Sequence, residues 1–389
     1  MNVHDGHQTG QSRSRALRWW GLLALLVAVT GFGIMHQYGG IRVVGVDALC
    51  PFGGIETLWT LIGSGTLVKQ IAVSSVILLG VVLVLAVVFR RAFCGQICPL
   101  GALQELAGKL GGVLRKGKAR LVVPTSVDRF ARYLKYAVLT VFAIWTWQAA
   151  ELVIRPYDPW VAWMHLSSAE VWAEFGIGLA VLAVSIVGSV VYDRFFCKYL
   201  CPMGATLGII SRLSVFKVRR NADTCIDCGK CDKACPVNVA VSAVETVESA
   251  ECINCNECVN VCPVKDTLQV ATKGRRTTVS ATTMWLATLV IVLTLVAATS
   301  VAGAFAWTIP TLSETTQQSG GVFDVENIKG SMSFEEIAAA TSIPGEVFQT
   351  KWGVSAPDMA VPIKDLAATH GFDVHTDVRE FVSEQLAAK

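Results

Sequence analysis

Charge is scarce in this 389-residue chain, where Asp, Glu, Lys and Arg make up 16% against roughly 25% in an average soluble domain. The deficit argues against an ordinary cytosolic enzyme, and it is uneven, because several long stretches carry no charge at all. A net charge of +3 gives no strongly basic surface, so no nucleic acid is expected as a partner. No C-x-x-C-H occurs, which excludes covalently attached c-type haem. Neither a Walker A motif nor a dinucleotide fingerprint after a strand is present, so hydride chemistry and ATP coupling fall to partners. The six histidines are His4, His7, His36, His165, His370 and His375. None is expected to face another in mid-membrane, which argues against stacked b-type haems. What the chain has in quantity is apolar residues, 53%, and cysteine, 13 residues. The apolar content excludes disorder, and the length excludes a disulfide miniprotein.

A hydrocarbon layer needs about 20 apolar residues to cross it. Five segments offer this: 19–38, 71–89, 135–151 (short unless extended to 154), 175–192 and the charge-free stretch 277–309. The alternative is that some are buried core helices. The first also has the basic start and apolar centre of a signal peptide, but Ile34-Met35-His36-Gln37-Tyr38 is a poor cleavage site, so it reads as a retained helix. Residues 90–135 hold ten Lys or Arg and residues 193–283 hold twelve, whereas the intervening stretches offer little beyond Arg42, Lys69 and Arg155. Basic loops stay inside, so both rich loops are expected in the cytoplasm. Five crossings then place residues 310–389 outside.

All 13 cysteines are patterned, twelve of them in repeats. Cys225-Ile-Asp-Cys228-Gly-Lys-Cys231-Asp-Lys-Ala-Cys235-Pro236 is a C-x2-C-x2-C-x3-C-P run. It recurs as Cys252-Ile-Asn-Cys255-Asn-Glu-Cys258-Val-Asn-Val-Cys262-Pro263. In this bacterial ferredoxin spacing three thiolates wrap one cubane and the fourth reaches the other. Cys225, Cys228, Cys231 and Cys262 therefore hold one expected 4Fe-4S cluster, and Cys252, Cys255, Cys258 and Cys235 the second. Zinc favours four ligands in two pairs, and a cytoplasmic loop keeps thiols reduced rather than bridged.

Four further cysteines form a second pattern. Phe93-Cys94-Gly-Gln-Ile-Cys98-Pro99-Leu-Gly101 follows the second apolar segment, and Phe196-Cys197-Lys-Tyr-Leu-Cys201-Pro202-Met-Gly204 follows the fourth. Each is C-x3-C-P, so the chain repeats helix, outer loop, helix and cysteine pair. The outer loops echo each other faintly, with Asp47-Ala-Leu-Cys50-Pro51-Phe52 against Arg155-Pro156-Tyr157-Asp158-Pro159-Trp160. Halves packed about a pseudo-two-fold axis would bring four thiols to one site. Three readings stay open for Cys94, Cys98, Cys197 and Cys201: a third metal centre, a redox-active dithiol, or buried thiols that only pack. Cys50 stands alone on the outer side, as a structural thiol in a turn dipping into the membrane or as a redox-linked one.

Two C-x3-C-P motifs at helix ends, followed by a two-cluster ferredoxin run, resemble the membrane-bound polyferredoxin family typified by NapH and MauN, the ferredoxin-type quinol dehydrogenases. The resemblance covers residues 15–275 and rests on twelve cysteines in order. It implies electron transfer between the membrane quinone pool and an iron–sulfur chain, and leaves the terminal enzyme open. The chain departs from short family members in carrying a fifth apolar segment and about 80 further residues. It also lacks a long N-terminal extracytoplasmic domain, such as the flavin-bearing one of nitrous-oxide-reductase relatives, which puts a specific role in nitrate reduction in doubt.

Residues 310–389 contain twelve acidic residues and five Lys or Arg. A polar linker, Gln317-Gln318-Ser319-Gly320-Gly321, leads to Ser333 and Glu336, an S-x-x-E capping box. Helices are expected at 344–351, 362–370 and 377–386. This segment reads as a docking surface for a cationic extracytoplasmic partner or as a solvated face. Quinol oxidation needs an apolar slot with titratable groups. The outer loops offer Asp47, Glu56, Trp59, Asp158, Trp160 and His165, with Glu56, Asp158 and His165 the quinone-site candidates. Glu151 and Arg155 are spaced to pair, and a slot beside the C-x3-C-P motifs is an equal alternative.

The expected fold is a mainly α integral membrane protein with five transmembrane helices, an inserted two-cluster ferredoxin-like α+β module and a small C-terminal helical domain. Its parts are a cytoplasmic tail 1–15, a four-helix membrane domain 16–214, a ferredoxin domain 215–275, a fifth helix 277–309 and an acidic extracytoplasmic domain 310–389. The expected function is electron transfer between quinone and a redox partner subunit on the cytoplasmic side. The alternatives are an assembly factor supplying electrons to metal centres or thiols, and a redox-sensing membrane regulator.

Overall fold

The computed structural model describes residues 3–38, 50–64, 73–115, 123–149, 153–167, 171–305, 307, 311–318, 323–328, 330 and 332–387. Asp47, Lys69 and Glu151 lie outside them. The chain divides into two compact units, one of residues 1–37 with 46–307 and one of residues 38–45 with 308–389.

The first unit begins with α1 (Val3–Tyr38), one unbroken helix of 36 residues. The expected tail 1–15 is thus its first turns. Gln11 Nε2 donates to Val259 O at 3.3 Å and to Cys262 O at 2.9 Å, so the helix continues because its polar end has partners. Two apolar hairpins follow. In the first, α2 (Pro51–Ser64) packs along α3 (Val73–Phe89), which is followed by α4 (Ala92–Gln96) and α5 (Pro99–Leu114). After α6 (Thr125–Ala131), the second runs through α7 (Leu134–Ala149), α8 (Pro159–Met164), α9 (Val171–Glu174), α10 (Gly176–Val191), α11 (Phe195–Tyr199) and α12 (Pro202–Ile210). The α3–α4–α5 order thus returns as α10–α11–α12.

Next comes the cysteine-rich module. Its β1 (Lys217–Arg220) pairs antiparallel with β2 (Leu268–Ala271), and two short helices, α13 (Lys230–Ala234) and α14 (Glu257–Asn260), lie between them in sequence. The strand β3 (Thr278–Val279) adds to β2, so residues 278–279 of the charge-free stretch are sheet rather than helix. The following helix, α15 (Ala281–Val301), starts where Ser280 Oγ accepts from Thr283 N at 3.1 Å and ends before Gly303, at φ 71°. Among the described residues of 277–309, the 21 of Ala281–Val301 are therefore the helical ones. Gly10–Gln37 and Ala281–Val301 are long and apolar enough to cross a membrane, and Val73–Phe89 and Gly176–Val191 are apolar helices of 17 and 16 residues. One apolar core runs from Leu79, Leu85 and Phe89 of α3 through Cys94 into Val218, Cys255, Cys258 and Val270 of the cysteine module. The stretches 16–214 and 215–275 are thus continuous in packing.

The second unit contains α16 (Leu312–Gln318), α17 (Phe334–Thr341), α18 (Gly345–Trp352), α19 (Ile363–His370) and α20 (Arg379–Ala387). Ser333 Oγ accepts from Glu336 N at 3.2 Å, as a capping serine does. Glu336 Oε1 accepts instead from Leu312 N at 3.2 Å, so the second half of the box ties α16 to α17. Phe334, Phe348, Trp352, Phe372 and Phe381 form its aromatic core.

Candidate metal centres

The two ferredoxin runs have the same backbone. Asp227 and Gly229 flank Cys228 at φ 50° and 65°, and Asn254 and Asn256 flank Cys255 at φ 49° and 63°. Left-handed conformations favour Gly, Asn and Asp, so these residue types curl each C-x2-C-x2-C run around its centre. Cys225, Cys228, Cys231 and Cys262 line one hollow, with the Cys262 thiol in the field of Cys228 and Cys225. Cys235 instead joins Cys252, Cys255 and Cys258, the four thiols interacting electrostatically. The structure therefore brings together the two crossed quartets that the spacing suggests. Cys228 is exposed in the first, and Cys255 and Cys258 are buried in the second. Val239 N–H donates to Cys235 Sγ at 3.3 Å, the kind of bond that stabilises a thiolate.

The two C-x3-C-P motifs meet, with reciprocal contacts between them. The chain leaves α3 through Arg90 at φ 61° and α10 through Arg194 at φ 56°. Cys98 and Cys201 then precede Pro99 and Pro202, the first residues of α5 and α12, a position that proline favours. A Cβ on Gly101 would lie 2.5 Å from Arg194 Nη1, and one on Gly204 would lie 2.7 Å from Arg91 Nη2. The arginine three residues before each cysteine pair thus rests on the glycine of the other pair, and glycine is required for that approach.

Between the two motifs is a largely apolar cavity of about 280 Å³, lined by Cys94, Cys98, Cys197 and Cys201 and also by Cys50 and Asp158. Cys50 is therefore not alone: its Sγ lies 3.5 Å from Asp158 Oδ2. Cys50-Pro51 leads into α2 as Asp158-Pro159 leads into α8, where Asp158 Oδ1 accepts from Trp160 N at 2.8 Å. The faint echo of the outer loops was the sequence signal for this convergence. Gln104 Nε2 donates to Cys197 Sγ at 3.1 Å and Gly204 N to Cys201 Sγ at 3.3 Å. Arg91 is 1% exposed, and its Nε and Nη2 have no hydrogen-bond acceptor. Arg91 Nη1 lies 3.6 Å from Glu251 Oε2, and its two remaining donors, in the field of Cys94, Cys197 and Cys201, fit thiolates held around an iron–sulfur core. Among the described residues, no three His, Cys, Asp or Glu side chains are close enough to hold a single metal ion. Thiolates bound to separate irons of a cluster stand farther apart, so the donor sets fit clusters better than a mononuclear ion.

Cavity and ferredoxin module are in direct contact. A Cβ on Gly95 would lie 2.3 Å from Ile253 O and 3.2 Å from Cys255 Cβ. Gln96 Nε2 donates to Asn254 O at 2.8 Å, and Asn254 Nδ2 to Phe89 O at 2.9 Å. The fully buried Arg90 donates to Val247 O at 2.8 Å and Ser249 O at 2.5 Å, and Lys135 pairs with Glu251. Arg18 of α1 ties three elements together, donating to Gly95 O at 2.9 Å, to Glu105 Oε1 at 2.7 Å and to Glu257 Oε1 at 2.8 Å. Arg194 Nη2 donates to Glu105 Oε2 at 2.9 Å.

Burial alone pushes the Glu105 carboxyl up, but the Arg18 and Arg194 guanidiniums outweigh it and hold it at about 2, against 4.5 for the free group. A depressed carboxylate stabilises the fold above its unfolded pKa and loses that contribution as pH falls through the folded one. About 3 kcal/mol should therefore be present at neutral pH and fade below about pH 4.5. Thermal melts of the detergent-solubilised chain against pH check this, and Glu105→Gln should flatten the acid slope.

Of the quinone-site candidates, Asp158 and Trp160 line the cavity. Glu56 does not: it is buried, and its Oε1 accepts from Thr146 Oγ1 at 2.8 Å and Ile154 N at 3.2 Å. His165 Nδ1 lies 2.8 Å from Val161 O, and the ring stacks on Phe175. Trp59 is 41% exposed. His36 and His165 meet edge-to-face at 6.1 Å, because the end of α1 packs beside α8, where Gly33 lies against Met164.

A family model described as a 4Fe-4S binding domain matches residues 71–120 and 175–221, the stretches holding the two C-x3-C-P motifs. A model described as a 4Fe-4S dicluster domain matches residues 217–263. The chain is 31% identical over 230 residues to YccM of Escherichia coli, which bears the name putative electron transport protein. That match covers 58% of this chain and 64% of YccM, less than two thirds of that relative's length. An uncharacterised protein of Methanocaldococcus jannaschii is 31% identical over 194 residues, 50% of this chain and 75% of that protein. The methylamine utilization ferredoxin-type protein MauN of Paracoccus denitrificans is 28% identical over 257 residues, 61% of this chain and 83% of MauN. No solved structure matches.

Proposed function

This chain belongs to the NapH/MauN-type membrane polyferredoxins, and from that premise we propose that it passes electrons between the membrane quinone pool and a partner redox protein. Iron–sulfur electron transfer follows from the family and its 4Fe-4S domains. Cys225, Cys228, Cys231 and Cys262 would hold one 4Fe-4S cluster and Cys252, Cys255, Cys258 and Cys235 the second. Cys94, Cys98, Cys197 and Cys201 would hold a third. Bound clusters supply reversible one-electron storage and transfer.

The single observation that carries the reading is the contact of Gly95 with Ile253 and Cys255. It sets the backbone next to Cys94, a cavity-lining thiol, against Cys255 of the buried ferredoxin quartet. Cys228, exposed at the far quartet, gives a soluble partner access. In the cavity, Phe52, Trp160 and Phe196 offer flat apolar walls and Asp158 a proton acceptor, the combination that a hydroquinone needs.

In this reading α1, α3, α7, α10 and α15 cross the membrane. The Lys- and Arg-rich segments 90–135 and 193–283 lie in the cytoplasm with the ferredoxin module, and the acidic residues 310–389 lie outside. The test is anaerobic purification followed by a quinol titration read by EPR. Quinol should bleach the clusters of the wild-type chain. Clusters that dithionite reduces but no quinol does would overturn the quinone assignment while leaving the electron-transfer role.

A further inference from the structure

Away from the cysteines, an open hollow of about 580 Å³ is lined by Arg212, Lys217, Arg219, Lys273 and Arg276 with a single acid, Glu248. That acid is already engaged, since Glu248 Oε2 accepts from Lys217 Nζ at 2.6 Å. Arg219 donates to Thr246 Oγ1 at 2.8 Å and Ala271 O at 3.3 Å. Among the described residues no ion pair forms to Arg212, Lys273 or Arg276. Uncompensated cations converging on one concave surface mark an anion site.

The position of the hollow narrows the anion's chemistry. Val215 and Phe216 donate through their backbone N–H groups to Val87 O and Val88 O at 2.9 and 3.0 Å, in the last turn of α3. The wall bearing Arg212 and Lys217 thus begins where that apolar helix ends. The opposite wall, Lys273 to Arg276, lies just before β3 and α15 in sequence. Leu213 and Val215 share the lining, 75% and 50% exposed. Exposed cations and bare aliphatic side chains on one hollow, next to the end of one apolar helix and shortly before another in sequence, match a phosphate headgroup that carries acyl chains.

We propose that this hollow binds the headgroup of an anionic phospholipid, its phosphate against Arg212, Lys273 and Arg276 and its acyl chains along Leu213 and Val215. The inference rests on the membrane placement proposed above. It adds a function to it: the lipid would brace the ferredoxin sheet against the membrane surface, because most of the lining residues come from β1, the segment just before it and the segment between β2 and β3.

Native mass spectrometry of the full-length, cluster-loaded chain in detergent tests the site, with phosphatidylglycerol, phosphatidylcholine or inorganic phosphate added. Phosphatidylglycerol should be retained and phosphatidylcholine should not. The double variant Arg212→Gln/Arg276→Gln should weaken retention by about tenfold, with iron content and EPR spectrum unchanged as the check on folding. Equal retention of both lipids, undiminished retention by the variant, or displacement of the lipid by equimolar inorganic phosphate would overturn the lipid site. Failure to reconstitute into pure phosphatidylcholine vesicles would instead overturn the membrane placement on which it rests.

Discussion

Gly95→Val should disconnect the two ends of the protein without removing either. A side chain there begins 2.3 Å from Ile253 O, a distance that no rotamer change relieves, because the obstacle is backbone. The ferredoxin module must back away, and overpacking of this kind costs about 1–3 kcal/mol. The hydrogen bonds of Gln96 and Arg18 to that junction lengthen with it. Dithionite should still bleach the clusters, and quinol should bleach them slower by an order of magnitude or more in stopped-flow absorbance. Gly112→Ala is the matched control, since a Cβ at that glycine meets nothing within 4 Å. Unimpaired reduction of Gly95→Val by quinol would place the entry of electrons elsewhere.

Cys94→Ser/Cys197→Ser should remove one centre and spare two. Anaerobically purified wild-type chain should contain about twelve iron atoms, and the variant about eight, with the ferredoxin EPR signals retained. The expectation comes from the crossed arginines and from Arg91, whose two remaining donors fit thiolates in the cavity. Wild-type iron near eight per chain would leave only the ferredoxin pair and return the four thiols to dithiol chemistry or packing.

The local chemistry was legible in the residues. The crossed quartets follow from the position of Cys235 and Cys262 in their runs, and the capping serine at Ser333 from its spacing to Glu336. Internal repetition was legible too, because Cys94-x3-Cys98-Pro99 and Cys197-x3-Cys201-Pro202 carry the same punctuation. What the residues hid was long-range. Cys50 joins the cavity because α2 and α8 both begin at it, a convergence that the faint echo of the two loops marks but that only the packing of the halves brings about. The polar start of α1 looked like a free tail, since the partners of Gln11, and Glu257 among those of Arg18, lie more than 230 residues away. The charge-free stretch 277–309 looked like one helix because composition does not register that Thr278–Val279 pairs with β2. His36 and His165 meet for the same reason, through the packing of segments remote in sequence.

The Arg18 tie also bears on the order of biosynthesis. Arg18 is made 239 positions before its acceptor Glu257. Until the second ferredoxin run emerges, the guanidinium has only Gly95 and Glu105 to hold it at the start of a long apolar helix. Closure of the N-terminal arm over Val259 and Cys262 is therefore a late event, available only once that run has its final curl.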